Sequence, residues 1–546
     1  MTAPKVLKLD PRDNVLVALT DLPAESTITH GGETYELPVA VSAKHKFATE
    51  DFSVGAEIKM YGVIVGRARE AIAKGGLLTT SNVTHDAAGF SGKQSDYKWV
   101  GPEVGAWQSR TFNGYHRSDG QVGTRNYWLV IPLVFCENRN VDALREAFEE
   151  ELGYGRPKKY RQQVRALLQE YRQAGSAVPA AAAESDPASA RTFPNVDGIK
   201  FLVHQGGCGG TRDDSRALCG LLAGYIHHPN VAGATVLSLG CQNAQATDLF
   251  EEIRKRDASF SKPVLLFDQQ KSGLESTMLS DAIRATFQGL VEANKACRQP
   301  APLSKLTVGL KCGGSDGFSG ISANPAIGHV SDILAALGGK SILSEFPELC
   351  GVEQSLINRA EDSQVADKFI QLMRAYQARA KAVNSGFEMN PSPGNIRDGL
   401  LTDAMKSAGA GRKGGTSPVE DVLDYPEYVK ANGLTLLCTP GNDVECVTAQ
   451  VGSGANIVLF TTGLGTPTGN PITPVVKLAT NTKLAQRMSD IIDIDTGAII
   501  DGSSSIESMS DSILEFVIDV ASGVQHTKAE ELRQDDFIPW KRGVSL

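Results

Sequence analysis

Apolar and polar positions along this chain fall into two rhythms. Between residues 13 and 85 the apolar residues come in short runs that often alternate with polar ones: NVLVALTDL, ETYELPVAV, EIKMYGVIVGRA and GGLLTTSNV. That rhythm predicts a small β-rich domain over residues 1–85, with the polar loop SAKHKFA carrying His45. Residues 86–112 show little periodicity and read as a linker.

From residue 113 onward, strand-like runs alternate with amphipathic helical ones. NYWLVIPLVF, IKFLVH, ATVLSLG and PVLLFDQ read as strands, whereas VDALREAFEEEL, RQQVRALLQEYRQA, DSRALCGLLAGYI and SDAIRATFQGLVEANKAC read as helices. Residues 174–190 (AGSAVPAAAAESDPASA) are poor in large apolar side chains and predict a mobile surface insertion. The alternation restarts near 301, with LTVGLK, SILSE, LTLLCTP and NIVLFTT as strands and HVSDILAALG and DKFIQLMRAYQARAKAV as helices. The pattern predicts an α/β fold with largely parallel sheets in two regions, 113–300 and 301–546.

Four of these strands share a feature: each runs into a cysteine, namely Cys136, Cys208, Cys241 and Cys312. Ligands of open α/β sheets bind outside the carboxyl ends of the strands. Four thiols delivered to such ends are expected to converge on one site, where thiolates would hold a metal. His204, four residues before Cys208 in HQGGCGG, stands beside this set. Cys438 also ends an apolar run, and Cys219 reads as core. The spread of the four from Cys136 to Cys312, rather than pairing as C-x-x-C, disfavours a structural zinc ribbon or finger.

Composition narrows the class. A chain of 546 residues exceeds one ordinary core, so two to four domains are expected. The net charge of -9, with no basic stripe, argues against nucleic acid as a partner while leaving a small anionic substrate open. No apolar run reaches the ~18 residues of a membrane span, and the N-terminus lacks the apolar core of a signal peptide. The expected location is the cytoplasm, where nine cysteines suggest metal or catalysis more than disulfides.

The 55 glycines cluster near strand ends, where a ligand needs close backbone approach. KCGGSDGFSG (311–320) gathers Cys312, Ser315, Asp316 and Ser319 in a loop whose N–H groups can cradle a carboxylate or phosphate. It matches neither the P-loop nor the dinucleotide spacing. NPSPGN holds Asn395, Lys406 and Lys413 follow in a glycine-rich stretch, and TTGLGTPTGNP (461–471) holds Thr466, with Lys477 beyond it.

Together, GYHRSDGQVGTRN, HQGGCGG, SLGCQN, KCGGSDGFSGISANPAIG, NPSPGN, PGND and TTGLGTPTGNPITPVVKLATNT resemble the motifs of the altronate/galactarate dehydratase family. The resemblance covers nearly the whole chain in the same order, and the N-terminal β unit is similar to that family's SAF domain. FPELCGVEQ and TPGNDVE look more like altronate dehydratases than galactarate dehydratases. One departure is the stretch KSAGAGRKGG, where Ala410 stands near a position that family members fill with cysteine.

The resemblance implies dehydration of a sugar acid, D-altronate to 2-dehydro-3-deoxy-D-gluconate and water, with galactarate or another aldonate or aldarate as the alternative substrate. It also implies ferrous iron, with manganese as an alternative activator, and an iron–sulfur cluster fits soft thiolates equally well. On that footing Cys136, Cys208, Cys241 and Cys312 are the expected metal ligands, and His45, His204 and Lys406 the expected catalytic groups. Ser315, Asp316, Asn395, Thr466 and Lys477 are expected to bind the substrate. A catalytically idle sugar-acid-binding protein is the non-enzyme alternative, and a homo-oligomer is an open expectation.

Overall fold

The computed structural model describes residues 4–155, 159–173 and 191–545, so the predicted insertion at 174–190 lies outside the described residues. The N-terminal unit is built of short strands: β1 (Val6–Leu7), β2 (Val15–Ala18), β3 (Ser26–His30), β4 (Glu33–Leu37), β5 (Lys46–Ala48), β6 (Glu57–Met60), β7 (Val63–Ala68) and β8 (Val83–Thr84). They form the antiparallel sets β1-β2-β5, β3-β4 and β6-β7-β8 around two small cores. The predicted run GGLLTTSNV contributes only β8 as strand, because its residues 76–82 go into turns and an isolated bridge from Leu77 to Phe47.

After the linker come β9 (Thr111–His116) and β10 (Val122–Gly123), then β11 (Tyr127–Pro132), β12 (Gly198–Phe201), β13 (Val231–Ser238) and β14 (Val264–Asp268). The last four make a parallel sheet of order β12-β11-β13-β14. Alternation along β11 sends Trp128 and Val130 to one face, against the helices Asn138–Glu149 and Glu275–Ala293. Leu129 and Ile131 go to the other face, against the helix Arg212–His227.

This lobe is entered and left through neighbouring strands. β15 (Gln299–Pro302) pairs antiparallel with β9, Gln299 opposite Gly114 and Pro302 opposite Thr111.

The C-terminal lobe holds β16 (Thr307–Cys312), β17 (Lys340–Leu343), β18 (Val419–Leu423), β19 (Gly433–Leu437), β20 (Ile457–Thr462), β21 (Val475–Ala479) and β22 (Ile494–Asp495). They form one parallel sheet of order β18-β19-β17-β16-β20-β21-β22. The chain builds outward from β16 in one direction, then returns to β20 and builds in the other. The switch point, where such sheets bind ligands, therefore falls between β16 and β20.

Helices Arg212–His227 and Asp443–Gly452 lie between the two parallel sheets and share one core. They meet so closely that a side chain at Gly224 would come 2.0 Å from the Gly452 carbonyl oxygen. No helix among the described residues is long and apolar enough to cross a membrane.

Candidate active site at the switch point of the larger sheet

β16 ends at Cys312 and β20 at Thr462, and the loops that follow are the two glycine-rich motifs. They are sewn together: Gly313 N–H donates to Thr461 O, and the N–H groups of Gly463 and Leu464 donate to Gly314 O. A side chain on Gly314 would meet the hydroxyls of Thr466 and Thr462 at 3.0 and 3.3 Å. Ser315 Oγ is buried and, among the described residues, has no hydrogen-bond partner. The N–H groups of Gly314 and Ser315 likewise make no bond to the described protein. Asn395, locked in the capping box of Pro393–Arg397, donates Nδ2 to Ser315 O at 2.7 Å. Ser315, Asn395 and Thr466 thus come together as a small donor-rich cradle.

Below the cradle lies a buried cluster of charge. Glu345, just past β17 with a left-handed φ of 66°, and Glu348 face Cys312. Lys413 Nζ lies 2.7 Å from both Cys312 Sγ and Glu345 Oε2. Lys311 Nζ pairs with Glu345 Oε1 and reaches Asp443 Oδ1 at 2.8 Å, while Lys406 Nζ reaches Glu348 Oε1 at 2.8 Å. Burial, reinforced by Glu345 and Glu348, pushes the Cys312 thiol up to about 12. Burial works against the charge on Lys406 and Lys413, but the facing anions raise both above the ordinary lysine value. Both side chains are therefore ammonium ions at neutral pH.

The N-terminal unit closes the cradle with its KHK loop. Lys44 Nζ pairs with Asp398 at 2.6 Å and Asp316 at 3.0 Å, and Lys46 Nζ donates to Gly399 O at 2.6 Å. A side chain at Gly317 or Gly399 would run into the Lys44 carbonyl oxygen, at 2.5 and 2.3 Å. His45 Nδ1 lies 3.3 Å from Ala43 O, an arrangement that suits an Nδ1–H and leaves the Nε2 lone pair free. Burial lowers the His45 pKa below the usual imidazole value, so the ring is neutral at pH 7.

Several sequence expectations are corrected here. Asp316 does not face the cradle with a free carboxylate: Thr480, Asn481, Ser319, the Phe318 N–H and Lys44 saturate its oxygens, so it holds the loop in shape. Lys477 donates to Gln534 Oε1 at 2.5 Å on the far side of β21, near Asp493, and is removed from the cradle. His204 spends both ring nitrogens on backbone, Nε2 against Pro132 O at 2.7 Å and Nδ1 accepting from Gly206 N–H at 3.1 Å. Burial lowers it to about 4, so it is a neutral brace for the Cys208 loop rather than an acid or base.

The four thiols also part company. Cys312 belongs to the larger sheet, whereas Cys136, Cys208 and Cys241 follow β11, β12 and β13 of the smaller one and are exposed. The loops carrying those three are joined by Phe135 N–H to Gly206 O and Ala244 N–H to Gly207 O. The His, Cys, Asp and Glu groups whose ligand atoms lie within 4.8 Å of one another, among the described residues, are Cys312–Glu345–Glu348 and Asp119–His227–Asp257.

The first of these groups suits an added cation poorly. Lys311, Lys406 and Lys413 already balance Glu345, Glu348 and Asp443. Cys136, Cys208 and Cys241 are accessible soft donors beyond one sheet edge, but among the described residues they do not gather within 4.8 Å of one another, so by donor chemistry and spacing they suit a multi-iron cluster rather than one ion.

Lys311, Glu345, Glu348 and Asp443 are site residues that the sequence reading missed. Glu345 closes SILSE and Glu348 follows it, so the same strand-end signal that singled out the cysteines was present there.

Known proteins bear on this site. Residues 4–86 match the altronate/galactarate dehydratase SAF domain, 114–294 the D-galactarate dehydratase/altronate hydrolase second domain, and 303–545 the D-galactarate/altronate dehydratase C-terminal domain. An altronate dehydratase of Bacillus subtilis (strain 168) is 32% identical over 549 residues, covering 99% of each chain. One from Escherichia coli (strain K12) is 31% identical over 542 residues, again 99% of each. The galactarate dehydratase (L-threo-forming) of Escherichia coli (strain K12) is 31% identical over 531 residues, 96% of this chain and 94% of its own. With matches spanning all three regions and end-to-end similarity above 30%, this chain belongs to the altronate/galactarate dehydratase family.

Proposed function

We propose that this chain is a sugar-acid dehydratase whose substrate is D-altronate, converted to 2-dehydro-3-deoxy-D-gluconate and water. The observation that carries this is the cradle: the unpartnered Ser315 Oγ and two free N–H groups, set between the neutral His45 loop and a buried ammonium cluster. That combination suits an α-hydroxy acid. The substrate carboxylate takes the Gly314 and Ser315 donors, and Thr466 and Asn395 shape the surrounding wall.

Elimination then needs a base for the C2 proton, stabilisation of an enediolate, and an acid for the C3 oxygen. His45 Nε2 receives the C2 proton. The Lys406 ammonium, held by Glu348, stabilises the enediolate and supplies a proton to the departing C3 hydroxyl, which leaves as water. The enol product becomes the 2-keto acid by taking a proton at C3 and releasing the proton of its C2 hydroxyl. Burial of the cluster excludes water and strengthens each of these interactions.

Cys136, Cys208 and Cys241 would hold an iron–sulfur cluster in this proposal. Such iron supplies Lewis acidity toward hydroxyl and carboxylate oxygens. Nine free cysteines accord with a reducing cytoplasm.

The test is turnover. Protein purified anaerobically, supplied with Fe²⁺, should form a 2-keto acid from D-altronate faster than from galactarate. The reverse preference would reassign the substrate, and no product from any sugar acid would overturn the proposal.

A further inference from the structure

Asp403 opens the helix Asp403–Ala410 and is completely buried, two links away from the catalytic cluster. Its Oδ1 accepts from Asn390 Nδ2 at 3.0 Å, and Asn390 Oδ1 in turn accepts from Lys406 Nζ at 3.3 Å. Lys406 then reaches Glu348. The chain of contacts fixes the amide. If Asp403 offered a hydrogen to Asn390 instead, the amide would turn over and present its NH₂ to an ammonium, leaving two donors face to face.

Asp403 therefore meets Asn390 with an accepting oxygen. The other oxygen, Oδ2, is buried with no hydrogen-bonding nitrogen or oxygen partner among the described residues, and no lysine or arginine pairs with the carboxyl. The groups around it are unfriendly to a negative charge. The segment 346–353 brings Glu348 and the Cys350 thiol, and Glu353 and Glu388 act in turn on that thiol. The N-terminal unit brings His85, whose Nδ1 faces Ala404 N–H at 3.4 Å, and the cation that acts on the carboxyl, Lys406, is committed to Glu348. The helix N-terminus favours an anion, but burial and Glu348 oppose one and push the carboxyl well above its ordinary range.

We propose that Asp403 serves as a permanently neutral carboxylic acid, a positioning residue that orients Asn390 and through it holds Lys406 for the elimination. The kinetic half of this rests on the dehydratase reading. The proton sits on Oδ2, the oxygen without a partner, and Oδ1 acts as a fixed acceptor.

Two variants and one spectroscopic measurement test it. Asp403→Asn keeps the shape, the neutrality and the accepting oxygen, and should retain kcat on D-altronate within roughly threefold. Asp403→Ala frees the amide and should lower kcat by roughly tenfold or more with KM little changed. In the wild-type holoenzyme a carbonyl infrared band of a protonated carboxyl should persist at neutral and mildly alkaline pH, and vanish in Asp403→Asn.

Absence of that band, or an Asp403→Asn protein as inactive as Asp403→Ala, overturns the inference. A wild-type protein that shows the band but turns over no sugar acid would instead mark failure of the functional reading.

Discussion

Cys312 Sγ and Lys413 Nζ lie 2.7 Å apart at the carboxyl end of β16, and the same ammonium holds Glu345 at the same distance. One buried cation thus fixes both a thiol and a carboxylate beside the switch point. Replacing Lys413 by Ala should lower kcat by roughly 10²-fold, because preorganised positive charge near the developing enediolate disappears. Cys312→Ser, which keeps a small hydrogen-bonding group, should cost far less. Steady-state kinetics on D-altronate compares the two.

Removing Glu345 takes the carboxylate partner from the buried Lys413 ammonium, whereas Lys311 keeps Asp443. Breaking a buried pair from one side costs about 3–5 kcal/mol. Glu345→Ala should therefore unfold at markedly lower urea concentration than wild type, with a similar slope.

Ser315→Ala removes the unpartnered hydroxyl of the cradle without touching the protein's own hydrogen bonds. The fold should be unaffected, and thermal unfolding should coincide with wild type. A lost hydrogen bond to a charged ligand is worth about 1.5–3 kcal/mol, so kcat/KM should fall by roughly 10- to 100-fold.

Lys46 is fully buried with a single carbonyl partner, and burial lowers it from 10.5 to about 7. Between those two values the unfolded chain holds a proton on this residue that the folded chain has lost. Raising the pH through that window therefore favours the folded state, and below about 7 the cost of burying the charge is present in full. Lys46→Met should be more stable than wild type at pH 6, and the gap should narrow as the pH climbs. Paired denaturation curves across the range give the difference directly.

Iron content separates the thiols. Triple replacement of Cys136, Cys208 and Cys241 by Ser should abolish iron in anaerobically purified protein, while Cys312→Ser should retain it. Elemental analysis of the two proteins decides. Retention in the triple variant would move the metal to the Cys312 side.

Much of this site was legible in the chain. The strands themselves are where the apolar runs placed them, because hydrophobic periodicity is local, but of the four only β16 reaches its cysteine, Cys312; β11, β12 and β13 stop at Pro132, Phe201 and Ser238, and Cys136, Cys208 and Cys241 lie in the loops beyond. The glycine-rich loops around Ser315 and Thr466 meet because parallel topology puts both at carboxyl ends.

What periodicity does not carry is strand order. Nothing local to Cys312 says that its neighbours in space are Glu345, Glu348 and Lys413 rather than other cysteines. Asp316 and Lys477 show the same limit, since a polar residue in a suggestive loop serves the loop or the ligand according to partners more than a hundred residues away, such as Thr480 for Asp316. His204 stood beside a ligand candidate, yet two backbone groups had already claimed its ring.

The pairing of β9 with β15 has a bearing on descent. A polypeptide that departs and returns through adjoining rungs leaves the body it departs from with no gap to span. The lobe between them is thus a single insertion in the covalent sense only, since taking it away would bare the face of Asp443–Gly452 on which Arg212–His227 rests.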